Sequence, residues 1–288
     1  MSDLLCWMNG EVMPAEQANI NVLDHGLLYG DGVFEGIRFY NGKALRLRDH
    51  MRRLLDSAKA IAMVSPLSLE ELEAAAEQTI AACPSSDGYL RPVMTRGVGS
   101  LGIDPASCSN SGFFIIAGPL RMIDPEQRRA GAKVITAATR RLGADGLDPR
   151  IKSLNYLNAI LARLEAKNAG ADEALLLNRQ GRIAEGSVDN IFIVKNGTLL
   201  TPPLSEGALG GITRAIIIEL AQRHEWAFEE RPLTAYDVYT ADEALLCGTG
   251  AELIPVASLD GRELPQAPRP FFDRIQTAFE ALVAEECA

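Results

Sequence analysis

Three Asn-Gly pairs limit what this chain can fold into. They stand in WMNGEV (Asn9-Gly10), RFYNGKALRL (Asn41-Gly42) and NIFIVKNGTLL (Asn196-Gly197), each between strand-like flanks. Such a pair takes up the positive-φ turn whose twist suits two antiparallel strands, so each stretch reads as a β-hairpin. Hairpins in both halves argue against an all-parallel, doubly wound sheet. Helices fall between the strands. RDHMRRLLDSAKAIAM repeats apolar residues at Met51, Leu54, Leu55, Ala58 and Ile61, the period of a helix. SLEELEAAAEQTIAA opens with Ser68 and Glu71 in capping-box spacing. Residues 153 to 168 read as a helix with Ile160, Leu161 and Leu164 on one face. GGITRAIIIELAQRH and the closing PRPFFDRIQTAFEALVAEE also read as helices. YLRPVMTRG, GFFIIAGPL, AKVITAATR, DEALLLN and EALLCG read as strands. Strands and helices mix without strict βαβ alternation, which predicts an α+β fold.

The chain has 288 residues, enough for two domains of ordinary size. The polar, proline-bearing run RMIDPEQRRAG (121–131) is the expected linker. That puts a first domain at 1–120 and a second at 121–288. The net charge of −10 argues against nucleic acid or an anionic membrane as main partners. Cys6, Cys83, Cys108, Cys247 and Cys287 are odd in number and widely spaced, with no CxxC. They read as reduced thiols of a cytoplasmic protein rather than disulfides or a zinc site. No apolar run approaches the ~20 residues that span a bilayer.

GVGSLG (97–102) matches a dinucleotide-binding fingerprint, but IDPASCSNSG follows it instead of a helix. Without a helix N-terminus there is nothing to receive a pyrophosphate, so the run reads as a glycine-rich loop between strands. His25, His50 and His224 lack metal-ligand spacing, no metal is expected, and His50 reads as structural.

Lys152 stands out. In IKSLNYLN it is wedged between Ile151 and Leu154. Two readings stay open from this stretch alone. The stem can pack while the ammonium reaches water, or a desolvated amine can serve as a carbonyl nucleophile. Three other stretches bear on the choice. Gly210-Gly211 precede a helix whose first amides, at Ile212 and Thr213, would face an anion. Thr249 stands between glycines at the end of an apolar strand. Glu185, in AEGSVDN, occupies a tight loop where a carboxylate could meet a ring nitrogen. A pyridoxal phosphate site needs a lysine, a ring-nitrogen partner and a phosphate cradle.

Taken in order, LLYGDGVFEGIRFY, HMRRLLDSA, IKSLNY, EGSVDNIF, TPPLSEGALGGITR and GTGAELIPV resemble the fold-type IV pyridoxal phosphate enzymes, which include the branched-chain aminotransferases. The resemblance runs from about residue 8 to 257. It implies the two-domain fold of the D-amino-acid aminotransferases, with a small N-terminal domain, a larger C-terminal domain and pyridoxal 5′-phosphate between them. It makes Lys152 the Schiff-base lysine and proton carrier, Glu185 the partner of the pyridine nitrogen, and Tyr156 a donor to the ring hydroxyl oxygen. Arg53, not Arg52, becomes the phosphate arginine. The amides of Ile212 and Thr213 and the Thr249 hydroxyl join it, and Leu209 packs on the ring.

On the substrate side, Phe34-Glu35-Gly36-Ile37-Arg38, Tyr89 and Arg91 of YLRP, and Leu101-Gly102-Ile103 are similar to the branched-chain subfamily. The resemblance implies an apolar pocket from Phe34, Tyr156 and Ile103 for leucine, isoleucine and valine. Tyr89 and the amides after Thr249, including Gly250, would hold the α-carboxylate. Arg91 would hold the distal carboxylate of glutamate with Tyr29, which reaches across the interface of a homodimer or larger assembly. The implied activity is transamination between branched-chain L-amino acids and 2-oxoglutarate. D-amino-acid or (R)-amine transamination, aminodeoxychorismate cleavage, and a non-enzymatic binding role for the fold are the alternatives.

Overall fold

The computed structural model describes residues 4–119, 129–266 and 268–288. The linker expected at 121–131 lies largely outside them. The chain divides into two compact units, Met1–Arg121 with Ile151–Asn155 and Val283–Ala288, and Met122–Arg150 with Tyr156–Leu282. A single boundary at 120/121 therefore misplaces two short segments. The backbone explains the more important one. Strand β3 (Gly32–Phe34) takes Lys152 and its neighbours as an added edge. Phe34 N donates to Lys152 O at 2.9 Å and Leu154 N to Gly32 O at 2.9 Å, and Val33 bridges to Ser153. The C-terminal segment is tied by Asn41 Nδ2 to Cys287 O at 3.2 Å and by Arg46 to Glu286 at 2.8 Å.

Among the described residues the first unit holds a seven-stranded sheet. Its strands besides β3 are β1 (Leu5–Met8), β2 (Glu11–Pro14), β4 (Ile37–Tyr40), β5 (Lys43–Ala44), β6 (Gly88–Thr95) and β7 (Gly112–Gly118). The order is β2-β1-β7-β6-β4-β5, with β3 also on β6. Asn9-Gly10 and Asn41-Gly42 turn the β1–β2 and β4–β5 hairpins with φ of 53° and 90°, and 51° and 76°. Three helices belong to this unit: α1 (His25–Tyr29), α2 (Leu47–Ala60) and α3 (Leu69–Ala81). The capping box forms on α3, with Ser68 N to Glu71 Oε2 at 2.7 Å and Glu71 N to Ser68 Oγ at 3.3 Å. Met51 and Leu54 of α2 and Leu72 and Ala76 of α3 join Phe39, Leu90 and Ile115 of the sheet in one core.

The GVGSLG run is a loop between β6 and β7, and only a turn of 3₁₀ helix at Pro105–Ser107 follows it. It is strapped to α1 instead. His25 N donates to Gly97 O at 2.9 Å, His25 Nε2 lies 2.8 Å from Ser100 O, and Tyr29 Oη donates to Leu101 O at 2.6 Å.

The second unit carries nine strands among the described residues. They are β8 (Ala132–Thr136), β9 (Glu173–Leu177), β10 (Ile183–Gly186), β11 (Asn190–Lys195), β12 (Thr198–Thr201), β13 (Phe228–Glu230), β14 (Glu243–Gly248), β15 (Glu252–Leu259) and β16 (Arg262–Glu263). The order is β10-β9-β8-β15-β14-β11-β12-β13, with β16 on β15. Most pairs are antiparallel, and β8–β9, β8–β15 and β12–β13 are parallel, the mixture expected of α+β. Asn196-Gly197 turns β11 into β12 at φ 49° and 76°.

Helices α4 (Leu157–Asn168), α5 (Ile212–Arg223), α6 (Ala235–Tyr239) and α7 (Pro270–Glu286) complete the described elements. Helix α4 corrects the sequence expectation twice. It starts at Leu157, because the residues before it are held in extended pairing by β3. Its buried face is Ala159, Ala162 and Ala166, whose small side chains let it approach Ala174 and Leu176 of β9. Ile160, Leu161 and Leu164 are exposed at 52%, 47% and 48%.

Candidate active site

In the first unit the site is built on one face of the sheet. Lys152 is half-buried. Its backbone N donates to Ser57 Oγ at 3.2 Å, and its Nζ lies 4.8 Å from the centre of the Phe34 ring. The Arg91 guanidinium stands over the same ring at 4.6 Å. Arg91 also donates to Tyr89 Oη at 2.9 Å, while its buried Nε has no hydrogen-bond partner among the described residues. Strand alternation puts Tyr89 and Arg91, two apart on β6, on one side. Arg38 pairs opposite Tyr89 and is 5% exposed, 4.8 Å from the centre of the Tyr40 ring. Gly36 is required here, because a Cβ would collide with the Tyr89 hydroxyl.

Behind this face lies a buried ionic cluster. Glu35 is fully buried. It accepts from Arg53 Nε at 2.7 Å, Arg53 Nη2 at 2.8 Å and His50 Nδ1 at 2.7 Å. Burial alone would raise the Glu35 proton affinity, but the Arg53 and His50 charges and hydrogen bonds outweigh it and hold the carboxyl far below its usual range. Burial pushes the His50 imidazole below its ordinary value, against the pull of Glu35. His50 is thus structural, as its residue type suggests. Arg53 is half-buried whereas Arg52 is exposed, and Glu35 fixes the orientation of Arg53.

In the second unit Glu185 lies within β10 rather than in a loop, beside a bulge in its pairing with β9. The carboxylate is 5% exposed. It meets Arg141 Nη2 at 2.6 Å and accepts from Leu209 N at 2.9 Å and Asn190 Nδ2 at 3.3 Å. Asn190 also donates to Leu209 O at 3.0 Å. A Cβ on Gly211 would collide with the Asn190 amide, so glycine lets the α5 N-terminus close on this cluster. Gly211 is the N-cap of α5 and brings no side chain to its amides at Ile212 and Thr213. After Glu185 and Gly186, Ser187 and Asp189 are buried as well. Ser187 N donates to Glu173 Oε1 at 3.2 Å, and Asp189 packs on Gly248. Thr249 follows Gly248 at the end of β14, which pairs Cys247 with Asn190. Asn190 therefore links Glu185 to Leu209, just before the helix start at Ile212 and Thr213, and its partner on β14, Cys247, stands two residues before Thr249. Tyr156 is half-buried and immediately precedes α4.

The Amino-transferase class IV family matches residues 32–259, a span holding Lys152, Glu185, Arg53 and Thr249. The chain belongs to that family. A Methanocaldococcus jannaschii relative, by assignment a branched-chain-amino-acid aminotransferase, is 48% identical over 256 residues, covering 89% of this chain and 88% of that one. The crystal structure of the Escherichia coli branched-chain amino acid aminotransferase superposes with a TM-score of 0.94 at 35% identity, covering 99% of this chain and 96% of that one. The branched-chain aminotransferase of the thermophilic archaeon Thermoproteus uzoniensis, solved with norvaline, gives 0.91 at 37% identity, covering 98% and 95%.

In this class IV aminotransferase two expected substrate residues, Ile103 and Tyr29, are exposed. Ile103 is 81% exposed and Leu101 76%. Tyr29, 37% exposed, is engaged by the same loop. The sequence also conceals functional neighbours. Glu35 stands in the FEGIR stretch, yet nothing local shows that it grips Arg53. Arg141 follows the exposed Arg140, and a doubled arginine after a strand gives no sign that one of the two turns inward.

Proposed function

We propose that this class IV aminotransferase is a pyridoxal 5′-phosphate-dependent branched-chain-amino-acid aminotransferase. It moves the amino group between leucine, isoleucine or valine and 2-oxoglutarate. The observation that carries the reading is the Phe34–Tyr89–Arg91 face. It offers an aromatic wall to a hydrocarbon side chain beside a buried guanidinium nitrogen with no acceptor, suited to a carboxylate. One pocket can then serve both an aliphatic donor and a dicarboxylic acceptor.

The donor set fits the cofactor. A helix N-terminus without a side-chain cap suits a phosphate, and the buried Glu185 suits a protonated ring nitrogen. When bound, pyridoxal 5′-phosphate supplies an aldehyde for the amino group and a pyridinium ring that withdraws electrons. Arg53, the Ile212 and Thr213 amides and the Thr249 hydroxyl are the groups that would hold the phosphate. Glu185 would hold the proton on the ring nitrogen, Tyr156 would donate to the ring hydroxyl oxygen, and Leu209 would lie against the ring. Lys152 Nζ accepts the substrate's α-proton and returns it to the other side of the transfer. Tyr89 and the Gly250 amide hold the α-carboxylate, and Arg91 holds the distal one.

The reading places Tyr29 and Ile103 at the site of a second copy, and so includes a homodimer or larger assembly. The exposed Leu101, Ile103, Ile160, Leu161 and Leu164 support it. All five cysteines are free, which supports a reducing cytoplasmic setting. Among the described residues no helix is long and apolar enough to cross a membrane.

The test is chemical. Borohydride reduction of the cofactor-loaded protein followed by peptide mapping should put the pyridoxyl label on Lys152 and on no other lysine. Lys152→Ala should abolish turnover; undiminished kcat in that variant sinks the assignment. Faster turnover of D-alanine, (R)-phenylethylamine or aminodeoxychorismate than of L-leucine would overturn the substrate class while leaving the cofactor assignment intact.

A further inference from the structure

We infer that Arg141 is a positioning residue that fixes the ring-nitrogen proton through Glu185. The inference rests on the cofactor reading above and concerns a residue that no motif marks. Arg141 is clamped at three points. Its backbone N donates to Leu177 O at 2.9 Å, its Nε donates to Gly207 O at 3.3 Å, and its Nη2 meets Glu185 Oε1 at 2.6 Å. Gly207 holds φ at 104°, and a Cβ there would sit 3.5 Å from Arg141 Cγ. The guanidinium is thus set before any ligand arrives.

The consequence is electrostatic. Glu185 and a pyridine nitrogen bonded to it share one proton, and that proton rests on whichever partner holds it more tightly. A permanently charged guanidinium in contact with one carboxylate oxygen, in a site sheltered from water, makes the neutral acid costly and the carboxylate favoured. The Leu209 amide and the Asn190 side chain donate to the other oxygen and act in the same sense, but neither carries charge. Arg141 therefore tips the shared proton onto the ring nitrogen, where electron withdrawal needs it. The two carboxylate oxygens divide the work, since Oε1 takes the cation and Oε2 the neutral donors.

Reconstitution with ring-¹⁵N-labelled pyridoxal 5′-phosphate tests this without recourse to activity. In the wild type the nitrogen should resonate as protonated pyridinium across neutral pH. In Arg141→Gln it should move toward the unprotonated position, and cofactor affinity should fall about 10-fold, the loss of one charge-assisted hydrogen bond. Arg141→Lys, which keeps the charge, should retain the wild-type resonance. A pyridinium signal unchanged in folded Arg141→Gln overturns the inference. So does a shift in Arg141→Lys as large as that of an unprotonated ring, which would make shape rather than charge decisive; this second arm stands even if Arg141→Gln does not fold. If the wild type itself takes up no cofactor, the cofactor reading falls and this inference falls with it.

Discussion

Two buried carboxylates in this chain use the same components to opposite ends. Glu35, in the first unit, is fully buried and grips Arg53 through two nitrogens, with His50 as a further donor. Glu185, in the second, is 5% exposed and meets Arg141 through one nitrogen, a backbone amide and an asparagine. At Glu35 the carboxylate serves the arginine: both oxygens are engaged by cationic side chains from α2, and the product is an oriented Arg53. At Glu185, on the proposed reading, the arginine serves the carboxylate, which stays the working group. A buried Arg–Glu pair does not by itself say which partner acts. The other donors around the pair decide.

The largest expected effect follows from breaking the first arrangement. Glu35→Ala leaves Arg53 and His50 without their shared partner inside the fold. Removing one member of a buried pair costs about 3–5 kcal/mol, so denaturant unfolding should show a loss of that order, accompanied by weaker cofactor binding as Arg53 swings free. A stable variant with unimpaired cofactor binding would refute the anchoring role. The pH dependence has a definite sign. Because the folded Glu35 holds its proton less tightly than its ordinary value of 4.5, its contribution is complete above that pH and is lost as pH falls below it. His50, depressed by burial from 6.5, also loses stability on acidification, starting at higher pH. The acid limb of the stability curve below pH 4.5 should therefore be flatter in Glu35→Ala than in wild type.

Glu185→Gln probes the other arrangement. The amide can still accept from Leu209 N, so folding should survive, but the carboxylate proposed to hold the ring proton is gone. Turnover should fall by on the order of 100–1000-fold, the range seen when one preorganised electrostatic contact is removed. If stability fell by several kcal/mol while kcat held, the two carboxylates would be alike after all, and the contrast would fail.

What the sequence made legible was local. The Asn-Gly turns and the Ser68–Glu71 capping box involve residues within four of each other, where chemistry and spacing travel together. The family motifs carry Lys152, Glu185, Arg53 and Thr249 for the same reason. The rest depends on contacts between distant parts of the chain. Lys152 joins the first unit because β3 adds its backbone as an edge, and nothing in IKSLNYLN encodes that pairing. Ile160, Leu161 and Leu164 have the period of a buried stripe, but the neighbouring alanines fit closer to β9 and take the buried side. Glu35 and Arg141 are ordinary charged residues until the fold supplies their partners. Burial of an ion pair is a tertiary property, and spacing along one strand cannot report it.

The smallest effect sharpens the comparison most. Asn190 donates from one nitrogen to both Glu185 Oε2 and Leu209 O, so it links the carboxylate to the turn that leads into α5. Asn190→Ala deletes one hydrogen bond to the carboxylate and one to a backbone carbonyl without breaking an ion pair. The expected cost is about 1–2 kcal/mol in stability, with no change in the acid limb set by Glu35. Because the amide also rests against Gly211, its loss leaves a gap beside the amides of Ile212 and Thr213 proposed to hold the phosphate, and cofactor affinity should fall more than kcat. The reverse split, kcat falling with affinity intact, would mean that Asn190 acts through Glu185 alone. The second unit would then separate its ring and phosphate contacts as cleanly as Glu35 in the first unit separates Arg53 from the substrate face.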